Sequence, residues 1–460
     1  MLMPCADTNA PDVIAAIETV ETKPTAPTQR QLSLFRRVLS TETTLHQGII
    51  SLADQAVASA TNFVTGIIVA RACSKEEFGL YMLGFSLILL ITDLQTSLIS
   101  TPYMVYAPRL TGGARALYTG STLIHQLAFS LVTILAVGCG AFAVRIGVGP
   151  RGLGPVLWAL TVVIASIMLR EFARRLCFAR LKLQTAFLFD TFVALIQISG
   201  LLVLARFGLL SASRAYWMIG SACGVAVLWW LWLDRGLFQP RMSESLADLK
   251  KNWILGKWVF ASGLVVAVSM NLYPWLLTFF HGTASAGVWA ACLGVVSVGN
   301  PAALAIQNFV GPKIARVQAA EGPMALRRLV LKISAVIALP MSLLCLVMIF
   351  WGGRLIALLY GRQYAGNGLV VTIMALNILV TAAAFPFSRA LFAIERADVD
   401  FLVNLAALVI VVTLGLWLVR ALGSLGAALG LLGSGLVISA VRAGAFLRLP
   451  ARVSRGWEAD

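Results

Sequence analysis

From residue 48 onward the chain alternates long apolar runs with short polar breaks. The runs fall at 48–70, 78–102, 119–144, 152–170, 185–206 and 211–233, then at 256–280, 284–308, 329–351, 367–390, 400–420 and 423–445. About 20 apolar residues wound as a helix cross a bilayer's hydrocarbon core, so each run predicts one membrane-spanning helix. The pattern therefore predicts an all-α polytopic membrane protein of about 12 transmembrane helices. The fourth run has no sharp polar end and can continue as helix into the basic stretch after it.

The organisation follows from the breaks. Residues 1–47 are polar and hold Pro4, Pro11, Pro24 and Pro27, with no apolar core of signal-peptide type. They are expected to be a mostly disordered cytoplasmic tail, within which residues 31–39 can form a short basic amphipathic segment. Residues 48–233 form an N-terminal six-helix lobe, 234–255 a cytoplasmic linker, 256–445 a C-terminal six-helix lobe, and 446–460 a second cytoplasmic tail. Composition agrees: 59% of residues are hydrophobic and 12% charged, about half the charged fraction of a soluble protein.

Charge sets the orientation. With twelve spans, 27 of the 36 Lys and Arg residues fall on one face and 9 on the other. Cytoplasmic loops carry the positive excess, so both termini are expected on the cytoplasmic side. The net charge of +16 is then topology signal and contact with anionic membrane lipids. No basic, aromatic-interleaved patch suggests nucleic acid. Seven scattered cysteines, three scattered histidines and the lack of a nucleotide-binding loop point to no metal site and no cofactor. Work would be passive or coupled to an H+ or Na+ gradient.

The halves repeat weakly but in register. Asn62 and Asn271 precede Gly79 and Gly287 at offsets of 209 and 208. Arg175, Phe178, Ala179, Lys182 and Asp190 match Arg389, Phe392, Ala393, Arg396 and Asn404 at 214, and Gly220-Ser221 matches Gly433-Ser434 at 213. Six spans per half give the two the same orientation, a plan of secondary transporters with a site at the repeat interface. Gly220, Gly224, Gly433 and Gly435 suit close helix packing.

Three stretches carry a family resemblance: LADQAVASATNFVTGIIVARACSKEEFGLYMLGFSL (52–87), REFARRLCFARLKLQTAFLFDTFVALIQISGL (170–201) and LIALLYGRQYAGNGLVVTIMALNILVTAAAFPFSRALFAIERAD (355–398). The chain resembles bacterial polysaccharide-biosynthesis flippases of the Wzx type over nearly all of residues 45–445. That family sits beside the lipid II flippases and MATE exporters in the multidrug/oligosaccharidyl-lipid/polysaccharide (MOP) superfamily. The resemblance implies two six-helix lobes opening alternately to each side. It also implies movement of an undecaprenyl-pyrophosphate-linked glycan to the outer leaflet, with a glycan polymerase and export machinery as further partners.

Such a substrate keeps its polyprenyl tail in lipid while its head cannot cross hydrocarbon unaided. The expected cavity is therefore polar and cationic. Arg175 and Arg389, repeat-related at span ends, are candidates for the pyrophosphate, for which a guanidinium fork suits; the alternative is topology anchoring. Arg109 and Lys313, each after a proline, form a second such pair. Asn62 and Asn271 can bond sugar hydroxyls, or each other. Asp93, in mid-span, is the first candidate for ion coupling and Asp54 the next, because an intramembrane carboxylate is costly without a partner; the alternative for Asp93 is pairing with a buried arginine or a helix amide, and for Asp54 a solvated place near the helix end. Pro274, inside the seventh span, removes a helix hydrogen bond and is the candidate gating kink. Other readings are a MATE-like cation-coupled small-molecule exporter or a major-facilitator transporter, though the latter's loop signature is absent after the second span. An enzyme such as a polymerase normally carries a sizeable external loop, and none is predicted.

Overall fold

The computed structural model describes residues 41–394 and 396–448. The expected tails therefore lie, up to residue 40 and from 449, outside the described residues, as does the proposed amphipathic segment 31–39. The chain divides into two units, residues 1–51 and 52–460. The first includes the opening turns of helix α1; the remaining helices belong to the second.

All regular elements among the described residues are helical. They are α1 (Thr41–Ala72), α2 (Lys75–Gln95), a π turn (Thr96–Ser100), α3 (Thr101–Tyr106), α4 (Gly112–Arg145), α5 (Leu153–Ala179), α6 (Leu183–Arg206) and α7 (Ala212–Leu233). Then come α8 (Met242–His281), α9 (Thr283–Val296), α10 (Asn300–Tyr360), α11 (Gly368–Ala393), α12 (Ala397–Ile410), a second π turn (Val411–Gly415) and α13 (Leu416–Leu447).

Ten of these stretches are long and apolar enough to cross a membrane. Two long helices hide reversals. Gly423 in α13 takes φ 58°, ψ −131°, a left-handed conformation open to glycine and strained for other residues. Beyond it the chain folds back, so that Gly430 approaches Gly415 and a Cβ at Gly426 would strike the Leu418 carbonyl. In α10, Gly322 takes φ 78°, and Val310 and Ile314 share a buried cluster with Leu326 and Val330 from its other side. Dividing the last stretch at Gly423 gives eleven, and the shorter apolar helix α9 stands where the pattern predicts the eighth span, so the described helices are consistent with twelve.

The fourth span runs on as helix to Ala179, as its missing polar end allowed, carrying Glu171, Arg174 and Arg175 beyond residue 170. One boundary differs from the sequence reading. The segment expected as a linker at 234–255 is helix from Met242, and α8 continues without a break through the seventh span to His281. The polar stretch docks on the N-terminal lobe: the His125 imidazole bonds the Ser245 carbonyl at 2.9 Å, and the Tyr118 hydroxyl donates to Asn252 at 2.7 Å. Where α8 crosses the first π turn, Gly256 and Gly263 allow close approach to Ser97.

Local signals explain the helix starts. The Ser74 hydroxyl accepts from the Glu77 amide at 3.2 Å, with Glu76 and Glu77 in the first turn of α2. The cap and the acidic turn offset the positive end of the helix. Helix α5 ends in a Schellman turn, with Leu181 amide to Phe178 carbonyl at 3.0 Å and Lys182 amide to Cys177 carbonyl at 2.9 Å. Its left-handed position holds Leu181, φ 57°, where glycine is usual. Small residues set the packing as expected at Gly220, which meets Val163, and at Gly224 and Gly435; Gly433 instead faces open space.

Candidate functional site

Helix α5 carries four charged residues in two turns, and packing sorts them. Arg170 and Arg174, four apart, share one face, which turns into the N-terminal lobe. The Arg174 Nη2 atom lies 2.6 Å from Asp54 Oδ2 and its Nε 2.7 Å from Asp190 Oδ2, while Arg170 Nη2 lies 2.6 Å from Asp190 Oδ1. Asp54 and Asp190 are fully buried. Two carboxylates face two guanidiniums, which removes net charge from a place where an unpaired ion would be costly. The second Asp54 oxygen, Oδ1, has no hydrogen-bond partner among the described residues. On the outer side of α5, Glu171 accepts from Arg175 Nε at 2.7 Å. A chain of charge thus runs from Arg175 through Glu171 and Arg174 to Asp54 and Asp190. The Asp93 side chain is exposed, with no ion pair among the described residues.

The C-terminal lobe carries a smaller network at corresponding positions. Arg442 binds Asp400 at 2.8 Å and Asn404 at 3.1 Å, and the Ser388 hydroxyl donates to Asp400 at 3.0 Å. In the repeat register Ser388 stands where Arg174 does, and Asn404 where Asp190 does.

Between the lobes lies a cavity of about 520 Å³. Ser59, Asn62, Phe63 and Gly66 of α1 form one wall, Phe78, Tyr81 and Phe85 of α2 a second, and Leu293, Gly294, Ser297 and Tyr360 a third. Among the described residues no charged side chain lines it. Helix α1 therefore divides two environments: Asp54, Thr61 and Thr65 point into the N-terminal lobe and are buried, with Thr65 accepting from Gln197 at 2.8 Å, while the opposite face fronts the cavity.

One end of the bundle is closed across the lobes. Arg71, at the end of α1, donates from Nε to the Leu359 carbonyl at 2.8 Å and from Nη2 to that of Leu358. The Gln363 amide donates to Ala70 at 2.8 Å. Helices α2 and α9 touch backbone to backbone, since a Cβ at Gly79 would strike the Thr283 carbonyl and one at Gly287 the Lys75 carbonyl.

The residues predicted from sequence fall in different places. Asp54 lies at one end of the charge chain and holds an arginine, so it is not the solvated helix-end residue that the sequence also allowed; Asp93 is exposed and outside the chain. Arg175 joins that chain. Arg389 is exposed and lies over the Phe385 ring, 4.7 Å from its centroid. Arg109 is exposed beside Tyr106, and Lys313 is exposed on α10. Asn62 lines the cavity, but Asn271 donates to the Ala267 carbonyl of its own helix at 2.9 Å and is not part of the lining. The cavity between the lobes is not the cationic one expected from the substrate's chemistry: among the described residues its lining is uncharged and mostly apolar and aromatic. Pro274 is buried in α8 next to Tyr273, and its carbonyl accepts from Thr278 at 2.8 Å. Sequence reasoning missed Arg170, Arg174, Asp400, Arg442 and the aromatic wall. The one signal for the first two was charge inside a helix otherwise apolar enough to span. No cluster of metal-ligating side chains occurs among the described residues.

The site is thus a cavity shared by two lobes, with one end of the bundle closed. The chain is similar to an inward-facing multidrug-resistance MATE family transporter of the MOP superfamily (TM-score 0.68, 14% identity, 87% of this chain and 100% of that chain). It is also similar to the lipid II flippase MurJ in an inward closed conformation (0.67, 12% identity, 87% and 88%). A third is a MOP-superfamily transporter from Pyrococcus furiosus Vc1 (DSM3638) (0.60, 12% identity, 88% and 94%). No curated protein sequence matches the chain. Residues 115–368 match the sequence model described as polysaccharide biosynthesis protein, and the chain belongs to that family, as a multi-pass membrane protein with a fold like that of the structures above.

Proposed function

We propose that this protein is a flippase moving an undecaprenyl-pyrophosphate-linked oligosaccharide from the inner to the outer leaflet of the bacterial cytoplasmic membrane, for surface or exopolysaccharide assembly, by alternating access. The observation that carries the reading is a cavity built by both lobes in a chain of the polysaccharide biosynthesis family. Its aromatic wall suits the apolar C–H faces of sugar rings, and Asn62 and Ser59 supply hydrogen bonds for hydroxyls. The pyrophosphate is held outside that wall by Arg175 and Arg389, with Arg109 and Lys313 on its approach. Asp93 and Asp54 take the coupling ion. A proton or small cation reaching the open Asp54 oxygen loosens its pairing with Arg174, and α1 transmits the change to the cavity on its other face.

The reading is tested by flipping of a fluorescent polyprenyl-pyrophosphate glycan in proteoliposomes. Replacing both Arg175 and Arg389 by Ala is expected to lower the rate at least tenfold, as loss of charge-assisted bonds of about 1.5–3 kcal/mol each requires. Lys at the same positions restores part of it, because charge returns without the fork. An unchanged rate in the double Ala variant removes both from substrate binding. Asp93→Asn is expected to keep basal flipping and lose its acceleration by a pH or sodium gradient; an undiminished gradient response leaves Asp54 as the coupling group.

A second reading, a MATE-like cation-coupled exporter of small molecules, is favoured by the uncharged aromatic lining. It predicts efflux of an amphiphilic cation by the same proteoliposomes and no flipping of the glycan lipid.

The orientation has its own test. With cysteine-less protein in intact cells, an impermeant maleimide applied outside is expected to label Ala365→Cys, in the exposed loop after α10, and not Glu244→Cys, at the start of α8. Labelling of Glu244→Cys from outside inverts the assignment of both termini to the cytoplasm.

A further inference from the structure

A second, smaller pocket lies away from the cavity, where the end of the second span, the start of the third and the turn between the fourth and fifth meet. Its volume is about 200 Å³, and Tyr103, Ala107, Pro108, Arg115, Ala179, Arg180 and Leu181 line it. We infer that this pocket binds a phosphate group, presented by an anionic phospholipid or by soluble phosphate, through the paired guanidiniums of Arg115 and Arg180. This binding is independent of the transported substrate.

Most of the pocket's donors are already committed. The Thr119 hydroxyl donates to the Arg115 carbonyl at 2.7 Å. Its oxygen can then only accept, so the contact with Tyr103 at 3.1 Å has the tyrosine as donor. The Tyr103 oxygen in turn faces Arg180 Nε at 3.5 Å, and Thr119 Oγ1 faces Arg180 Nη2 at 3.4 Å. The hydroxyls therefore position Arg180 loosely and have no donor of their own left for a ligand. Arg115 spends only Nε, on the Leu110 carbonyl at 2.7 Å. What remains unspent at the pocket is N–H groups of two guanidiniums.

Their charge is unspent as well. The other three arginines of this stretch, Arg170, Arg174 and Arg175, each hold a carboxylate, and the neighbouring Lys182 faces Asp234 at 3.5 Å. Among the described residues no carboxylate lies within ion-pair distance of Arg115 or Arg180. Two like charges sharing one pocket repel unless an anion sits between them. A guanidinium presents a planar fork of donors that matches phosphate oxygens, and Ala107, Pro108 and Ala179 leave an apolar wall for the carbon part of an ester. The turn that presents Arg180 is the one held by left-handed Leu181, a conformation that costs a leucine energy and persists where surrounding contacts enforce it. The pocket sits at the ends of spans, the depth at which basic interhelical pockets meet lipid headgroups.

The test uses the purified full-length chain in phosphatidylcholine nanodiscs. One arm adds phosphatidylglycerol and counts retained lipid by native mass spectrometry; the other titrates inorganic phosphate and follows the unfolding midpoint. Retention of phosphatidylglycerol without a phosphate response identifies a lipid headgroup, and a response to phosphate alone identifies a soluble ligand. In either case Arg115→Gln and Arg180→Gln each weaken binding about tenfold, Arg180→Lys weakens it less, and Arg235→Gln, an exposed arginine outside the pocket, leaves it unchanged. The inference is overturned when neither ligand binds, when the Gln variants bind as wild type does, or when Arg235→Gln loses as much as they do. Should either Gln variant fail to fold, Arg180→Lys against wild type decides: equal binding overturns the fork. Every readout is binding, so a failure of glycan flipping leaves the result intact.

Discussion

Arg174→Ala is expected to be the most damaging single substitution in the N-terminal lobe, lowering stability by about 3 kcal/mol. Removing this side chain strips two buried carboxylates of a guanidinium at once: Asp54 loses its 2.6 Å pairing and Asp190 keeps only Arg170. Asp54 and Asp190 are shut off from solvent, so neither can recover its lost energy from water. The side chain of Arg174 is itself only 11% exposed, which keeps screening small. The measurement is the thermal midpoint of the detergent-purified protein, read by the loss of its monodisperse peak. Adding Asp54→Asn to Arg174→Ala should recover much of the loss, since the uncompensated charge goes with it. Arg442→Ala in the other lobe should cost less, because that pair is 19% and 11% exposed. Equal midpoints for Arg174→Ala and wild type show that the buried network contributes nothing net.

Gly79→Val is expected to force open the closed end of the bundle. Helices α2 and α9 meet there with no room for a side chain, and the obstruction on each side is backbone, which cannot rotate away as a flexible side chain would. Overpacking of this kind costs about 1–3 kcal/mol or more, enough to shift a two-state equilibrium by tenfold or more. The shift is read through Asn62→Cys on the cavity wall. An impermeant maleimide added on the side of the Cys73–Ser74 turn should react with it at least tenfold faster in the Gly79→Val background. Unchanged reactivity with an unchanged midpoint means that α2 and α9 do not form the closure. Arg71→Ala should act in the same direction with a smaller effect, because it removes hydrogen bonds to Leu358 and Leu359 without adding bulk.

The spans were legible because each run needs only length and hydrophobicity, both one-dimensional properties. Even the two reversals were legible, since the breaks after the runs 284–308 and 400–420 put a turn there, with a glycine at 322 and at 423. The helical start of α8 was not legible: its residues are polar because they face loops and the flank of the N-terminal lobe, and polarity between spans reads as linker. The charge network was half visible. Asp54 stood out as a carboxylate in a span, yet its partner Arg174 is 120 residues away, and nothing in a single sequence ties the two. Arg175 drew the repeat argument instead, because its register with Arg389 is visible while its contact with Glu171 is local. The cavity wall was the least legible part. In a membrane protein, lipid, helix interface and cavity all accept Phe and Tyr, so Phe63, Phe78, Tyr81 and Phe85 look alike in sequence whichever they face.

Helix α8 has a mechanical consequence. At 1.5 Å per residue its 40 residues make a beam about 60 Å long. Near its start it is pinned to the N-terminal lobe through Ser245 and Asn252; at its far end His281 holds the Val419 carbonyl at 2.7 Å, in the C-terminal lobe. A loose tether between halves would let each swing on its own. A beam anchored in both gears them together, so any rocking of one half against the other loads the helix between Asn252 and His281. Pro274, which lacks the backbone donor that would stiffen that stretch, sets where the beam yields and so limits the stroke.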